Sequence, residues 1–142
     1  MDDKLKEYCG RLQEQVKLAE TRLTRVREHL VSPEVPPLPK WRALLQEATN
    51  ACAATGEQAQ QAALRIKASM EDAQKRPRVP FDDSNLDGEL VKAENQADRE
   101  EGLALDAIVV ASHAILQAEV AILQAFTTRK TASDLARFRD VF

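Results

Sequence analysis

The chain has 142 residues, a length typical of one domain, and its 44% hydrophobic and 30% charged residues argue against wholesale disorder. Its 4 glycines are too few for the turns of a β-sandwich or barrel, and they form no phosphate-binding cluster. The net charge of -3 gives no overall attraction to nucleic acid or to an anionic membrane.

The first residues contain no apolar stretch of the kind that a signal peptide needs, and they are partly acidic. Cys9 and Cys52 are the only cysteines, and both fall on apolar positions of helical patterns. We therefore expect both thiols to pack as small core residues in a cytoplasmic protein.

A first helix is predicted over residues 3–31, because apolar residues recur there at alternating steps of four and three. This heptad seam predicts a nearly parallel or antiparallel packing against neighbouring helices. Its members are Leu5, Cys9, Leu12, Val16, Ala19, Leu23, Val26 and Leu30.

A second helix is predicted over residues 40–75, after a linker at 32–39 that contains four prolines. Its apolar stripe begins at Trp41 and continues mostly through small residues, which let two helix backbones approach closely. Gly56 lies inside this helix and lowers its propensity by about 1 kcal/mol relative to alanine.

A third helix is predicted over residues 86–130, after an acidic linker at 76–88. A short fourth helix is predicted over 133–141, because Thr131 and Asp134 resemble a capping box in their spacing. From Leu103 to Phe126 the chain has no Lys or Arg. One stripe of this segment is polar, with Asp106, His113, Gln117 and Gln124. A ladder of alanines beside it is expected to meet the second helix: Ala107, Ala111, Ala114, Ala118, Ala121 and Ala125.

The third helix carries more apolar surface than two neighbouring helices cover. One row is left over, and a contiguous exposed apolar strip is rare on monomers. We therefore predict a partner interface, with Glu119 setting its register. The row consists of Leu105, Val109, Leu116, Val120 and Leu123. Its expected cover is a second copy in a homodimer, another helical subunit, or the chain's own Leu135, Phe138 and Phe142.

A membrane span is the main rival interpretation, because the apolar window exceeds the roughly 20 residues that a span needs. Five polar residues, among them Asp106 and Glu119, argue against it, since one central aspartate costs about 2.5–3.5 kcal/mol on insertion. No membrane span is predicted.

Residues 83–94 resemble the calcium loop of EF-hands in the spacing of Asp83, Asn85, Asp87, Gly88 and Glu94. The prolines before this segment and the lack of a second loop favour an acidic cap of the third helix instead. A calcium-responsive regulator is therefore an alternative, and no cofactor is expected.

Residues 35–42 resemble a ligand of SH3-type grooves, although a rigid helix connector explains their prolines as well. Cations near helix ends leave a nucleic-acid-binding helical module as a second alternative, although nucleic acid is not the expected partner. The two histidines, 29 and 113, are far apart, and no nucleophile motif occurs. We therefore expect a single all-α domain, an antiparallel bundle of three long helices plus a short C-terminal helix. It is expected to be a non-enzymatic protein-interaction or structural module, acting as a homo-oligomer or as a small subunit of a larger assembly.

Overall fold

The computed structural model describes residues 3–31, 37–77 and 79–141, except for the side chains of Leu30 and Val31. These residues form three helices and no strand: α1 (Asp3–Val31), α2 (Leu38–Lys75) and α3 (Leu86–Val141). The prediction of an all-α protein is confirmed.

α2 begins two residues earlier than predicted. Pro39 lies in its first turn, where a missing backbone donor removes no hydrogen bond, and the Lys40 amide donates to the Pro37 carbonyl at 3.0 Å. A proline in this position therefore starts α2 rather than delaying it.

The predicted fourth helix does not exist as a separate element, since α3 continues without a break to Val141. Thr131, which was expected to cap a new helix, instead donates its hydroxyl to the Thr127 carbonyl at 2.9 Å within α3. Leu135 and Phe138 are exposed within α3, so the described part of the C-terminal segment does not fold back over the rest of the helix. Phe142 lies outside the described residues.

α3 is the central helix and packs against both of the others. α2 runs antiparallel to it, because Trp41 contacts Phe126 near one end and Arg65 pairs with Asp106 further along. α1 runs parallel to α3. In the described residues, the backbones of α1 and α2 approach α3 more closely than they approach each other.

The core lies at the end where α1 finishes and α2 begins. Trp41 is fully buried. Its ring centroid is 5.8 Å from that of His29, which meets it edge-on, and 4.1 Å from that of Phe126. Val26, Ala48 and Leu123 complete the buried cluster. Leu44, Leu45 and Val120 pack against it from α2 and α3.

The first heptad seam is covered only near the end of α1. Val26 is buried, but the seam residues before Ala19 are exposed, and so is Leu23. The expectation that Cys9 is a core residue is therefore wrong, whereas Cys52 is partly buried. No helix lies over the outer side of α1 in the described structure.

The predicted meeting of the alanine ladder with α2 is also wrong. Five of its six alanines are exposed, and α2 packs against the neighbouring face of α3 that carries Asp106 and His113. The polar side chains of this face have partners on α2, since Arg65 pairs with Asp106 and Thr55 contacts His113. Pairing with α2 therefore decides which face of α3 turns inward.

Candidate functional site

A trough runs along α3 between α1 and α2, because the backbones of these two helices approach α3 and not each other in the described residues. It contains two cavities. One, of about 310 Å³, lies beside the core and is lined by all three helices. The other, of about 210 Å³, lies further along α3 between Gln15 of α1 and Gln58 of α2.

The floor of the trough contains most of the residues predicted to form the partner interface. Leu105 and Val109 line the smaller cavity, and Leu116, Glu119 and Leu123 line the larger one. Leu123 also reaches into the core, where it is 2% exposed. Val120, the sixth predicted residue, packs against the core cluster instead.

The walls of the trough are polar around the smaller cavity, whereas Leu44 and Ala48 of α2 add apolar surface around the larger one. α1 contributes Arg11, Glu14 and Gln15 around the smaller cavity, and α2 faces them with Thr55 and Gln58. An apolar floor between polar walls is the arrangement that receives one side of an amphipathic helix.

Positive charge collects beside the larger cavity. Arg22 of α1 donates to Glu119 of α3 at 3.3 Å, and this pair joins the two helices at the edge of the floor. Glu119 is largely covered, as expected for a carboxylate with a partner on a neighbouring helix. Arg25 and Lys40 line the same cavity with Glu47, so this end of the trough has an excess of cations.

The wall formed by α2 is fixed by two polar contacts with α3. Arg65 donates twice to Asp106, at 2.8 and 3.1 Å, and these hydrogen bonds raise the pKa of the guanidinium. Thr55 and the His113 Nδ1 are 2.9 Å apart. Gly56 lies directly beside this contact, close to the His113 ring.

Residues 83–94 do not form a twelve-residue loop in this structure, since α3 begins at Leu86. Asn85 precedes the helix, and its side-chain oxygen accepts from the Gly88 amide at 3.2 Å. A Cβ added at Gly88 would meet the Asn85 side chain, so the glycine leaves room for this cap. Within the described residues, no group of three or more His, Cys, Asp or Glu is arranged to hold a metal ion.

The proposed SH3-type motif at 35–42 lies partly outside the described residues, but its Trp41 is buried in the core. Arg76 is one of the cations near helix ends that suggested nucleic-acid binding. It donates a hydrogen bond to Asp72, one turn earlier. Arg78 lies outside the described residues.

α3 is also long and apolar enough to cross a membrane, judged by length and composition alone. Its best 18-residue window has a mean hydropathy of 1.6, and none of that window is buried in the structure. This is weak evidence, because core helices of other proteins meet the same criterion. Asp106 and Glu119 lie in the apolar part of α3, and both have arginine partners.

Periodicity alone did not identify the residues that form the walls. Arg22 flanks the heptad seam of α1, which is a signal for an interhelical contact, but its partner Glu119 is 97 residues away. Arg25 and Lys40 carry no such signal in the sequence, because they belong to different helices and line one cavity only in the folded chain.

Comparison of the chain with protein families, with curated proteins and with solved structures gives no match.

Proposed function

We propose that this protein is a non-enzymatic interaction module that binds an amphipathic helix of another protein in the trough. The apolar floor carries this proposal, since it is open between walls that are polar at the smaller cavity and bear charged residues at the larger one. A fourth helix in this position would complete a four-helix bundle, which is a common way to cover the surfaces of three helices.

The size of the floor sets the length of the bound helix. Leu105 and Leu123 are 18 positions apart, which corresponds to roughly 27 Å along α3 at 1.5 Å per residue. A partner segment of about five turns covers this distance. Its apolar residues recur at the i, i+3, i+4 and i+7 positions of groove-binding helices.

The cations at the core end of the trough favour an acidic end on the bound helix. Arg25 and Lys40 would face carboxylates there, which speeds association and fixes the direction of the helix. The exposed C-terminal segment of a second copy is a poor match, because it is itself rich in cations: Arg129, Lys130, Arg137 and Arg139. Charge therefore favours another protein as the source of the helix.

Site-specific photo-crosslinking in the native cell extract tests this proposal. A photoreactive amino acid replaces Gln58, which lines the trough, or Gln60, which is exposed elsewhere on α2 as the matched control. We expect a crosslink only from position 58, and mass spectrometry should place it in an amphipathic helix with acidic residues. Equal labelling from both positions, or a labelled segment without such a pattern, would contradict the proposal.

Two substitutions on α3 sharpen the test. Leu116→Asp adds a charge to the floor and should abolish the crosslink, whereas Ala118→Asp, on the exposed side, should leave it unchanged. Ser112→Arg fills the smaller cavity without removing a core contact and should also abolish it. Circular dichroism checks that helix content persists in all three variants.

A further inference from the structure

A second apolar surface lies on α1, away from the trough. Its residues belong to the heptad seam but are not covered by α2 or α3. We call it the α1 edge, and it consists of Leu5, Cys9, Leu12, Val16 and Leu23, of which the four aliphatic residues are 36–44% exposed.

Helical periodicity separates the α1 edge from the trough. At 100° per residue, Val16 lies roughly 160° around α1 from Glu14 and roughly 100° from Gln15, both of which line the smaller cavity. The two surfaces therefore face different sides of the molecule.

The chain exposes more surface than a compact protein of its size. Its accessible area is 11035 Å², whereas a folded monomer of 15.8 kDa exposes about 7,300 Å². A standard interface covers about 800 Å² on each partner. The excess is therefore large enough for the helix bound in the trough and for a second interface.

We infer that the α1 edge is a homodimer interface in which two copies of α1 pack antiparallel about a twofold axis near residue 14. The exposed part of the seam runs from Leu5 to Leu23, so its midpoint is at residue 14. With the axis there, Leu5 meets Leu23 of the second copy and Leu12 meets Val16. Every exposed seam residue then has an apolar partner, as a self-complementary interface requires.

Charge supports this register. Lys6 and Glu20 flank the edge on the same side of the seam, and the antiparallel register brings Lys6 beside Glu20 of the second copy, twice per dimer. Arg27 lies beyond the overlap and avoids Lys6. In a parallel pair, Arg22 would instead approach Arg27 of the second copy, which is repulsive.

The dimer leaves both troughs open, because the α1 edge and the residues that line the trough lie on different sides of α1. Two helix-binding sites on one rigid particle increase the apparent affinity for a partner that presents two such helices. The dimer itself does not rest on the proposed function, since its surface shares no side chain with the cavities of the trough.

Cysteine crosslinking tests both the interface and its direction. In this register Cys9 lies opposite Ala19 of the second copy, whereas Cys9 and residue 19 of one chain are about 15 Å apart along α1 and cannot form a bridge. The experiment uses the full chain with Cys52→Ala, treated with diamide, which accepts the two thiol protons and electrons.

We expect Ala19→Cys in this background to form a covalent dimer and the parent with Cys9 alone to stay uncrosslinked. A parallel dimer would crosslink through Cys9 in the parent and would overturn the inference. A chain that forms no crosslinked dimer in either case, and that has the mass of a monomer by light scattering, would overturn it as well.

Paired substitutions identify the surface. Leu12→Glu should raise the dimer dissociation constant about 100-fold or more. Leu18→Glu alters a residue that is 50% exposed but outside the seam, and it should leave the dimer intact. Lys6→Glu should weaken the dimer, and adding Glu20→Lys should restore it. Circular dichroism distinguishes lost dimerisation from lost helix.

Failure of this inference and failure of the proposed function are distinguishable. Leu116→Asp should abolish crosslinking at the trough while the dimer persists, and Leu12→Glu should have the opposite effect. Loss of the dimer through Leu116→Asp in a chain of unchanged helix content would mean that the trough is the self-interface, which contradicts the inference.

Discussion

The two halves of α1 carry the same heptad pattern but meet different surroundings. Near its end, Val26 is 8% exposed in a cluster with Trp41 and Leu123, and we call this region the closed end. In its first half, Leu5 and Val16 are each 42% exposed, and we call this region the open end. A regular seam therefore does not by itself determine how deeply its residues are buried.

The difference follows from what α2 offers at each end. At the closed end Trp41 bridges the gap to α1 and contacts His29. At the open end the buried residues of α2 are Ala59 and Ala62, which bring α2 close to α3 but do not reach α1. Trp41 thus joins α2 to α1 at the closed end, whereas the alanines at the open end pack without contacting α1.

The largest expected effect is at Trp41. Trp41→Ala removes the side chain that joins all three helices and should lower the free energy of unfolding by about 3–5 kcal/mol. Urea unfolding followed by circular dichroism measures the loss. Phe81→Ala, at a residue that is 66% exposed, is the control and should change stability little. A loss below about 1 kcal/mol at Trp41 would contradict its central role.

The same substitution at two seam positions compares the closed and open ends directly. Val26→Ala should cost about 2 kcal/mol through lost burial and a residual cavity. Val16→Ala should cost about half as much or less when both are measured in the monomeric Leu12→Glu background. If urea unfolding shows that both substitutions lower the free energy of unfolding equally, the open end is covered as well as the closed end.

Gly56 lies between the two ends, and its replacement should be stabilising. A Cβ there would meet the His113 Cε1 at 3.7 Å, which is an ordinary contact. Gly56→Ala should therefore raise the free energy of unfolding by about 0.5–1 kcal/mol through helix propensity. Gly102→Ala, where a Cβ meets nothing within 4 Å, gives the matched value for propensity alone. If Gly56→Ala were destabilising while Gly102→Ala was stabilising, α2 and α3 would need to approach each other more closely at Gly56 than an alanine allows.

The smallest expected effect lies beyond the open end, before α3. Ser84 donates its hydroxyl to Asp82 at 2.6 Å and its amide at 3.0 Å, and both bonds lower the pKa of the carboxyl. Because the folded pKa lies below the unfolded one, this stabilisation is present above the unfolded pKa and is lost as pH falls through the folded value.

Ser84→Ala removes the stronger bond and should raise the pKa of Asp82, as an NMR titration of its carboxyl carbon would show. Ser133→Ala, at an exposed position in α3, is the control and should leave that titration unchanged. An unchanged Asp82 pKa in Ser84→Ala would mean that the hydroxyl does not bind the carboxylate.

The sequence predicted the helices well, because periodicity and proline placement act within a few residues. It predicted too many, since the Thr131 and Asp134 pair resembled a cap but sits within an uninterrupted helix. Periodicity also grouped Leu105, Val109 and Leu116 correctly on one side of α3. It did not show which neighbour covers which side, because Asp106 and His113 depend on distant residues of α2.

The two contacts of α3 also differ in chain distance, which affects the order of unfolding. α2 and α3 are neighbours in sequence, whereas Arg22 of α1 meets Glu119 across 97 positions. Closing the longer loop between α1 and α3 costs more conformational entropy. At the open end the seam of α1 is exposed, so little burial offsets that cost. The first half of α1 should therefore detach first in the monomer, and its amide hydrogens should exchange with solvent sooner than those of the paired α2.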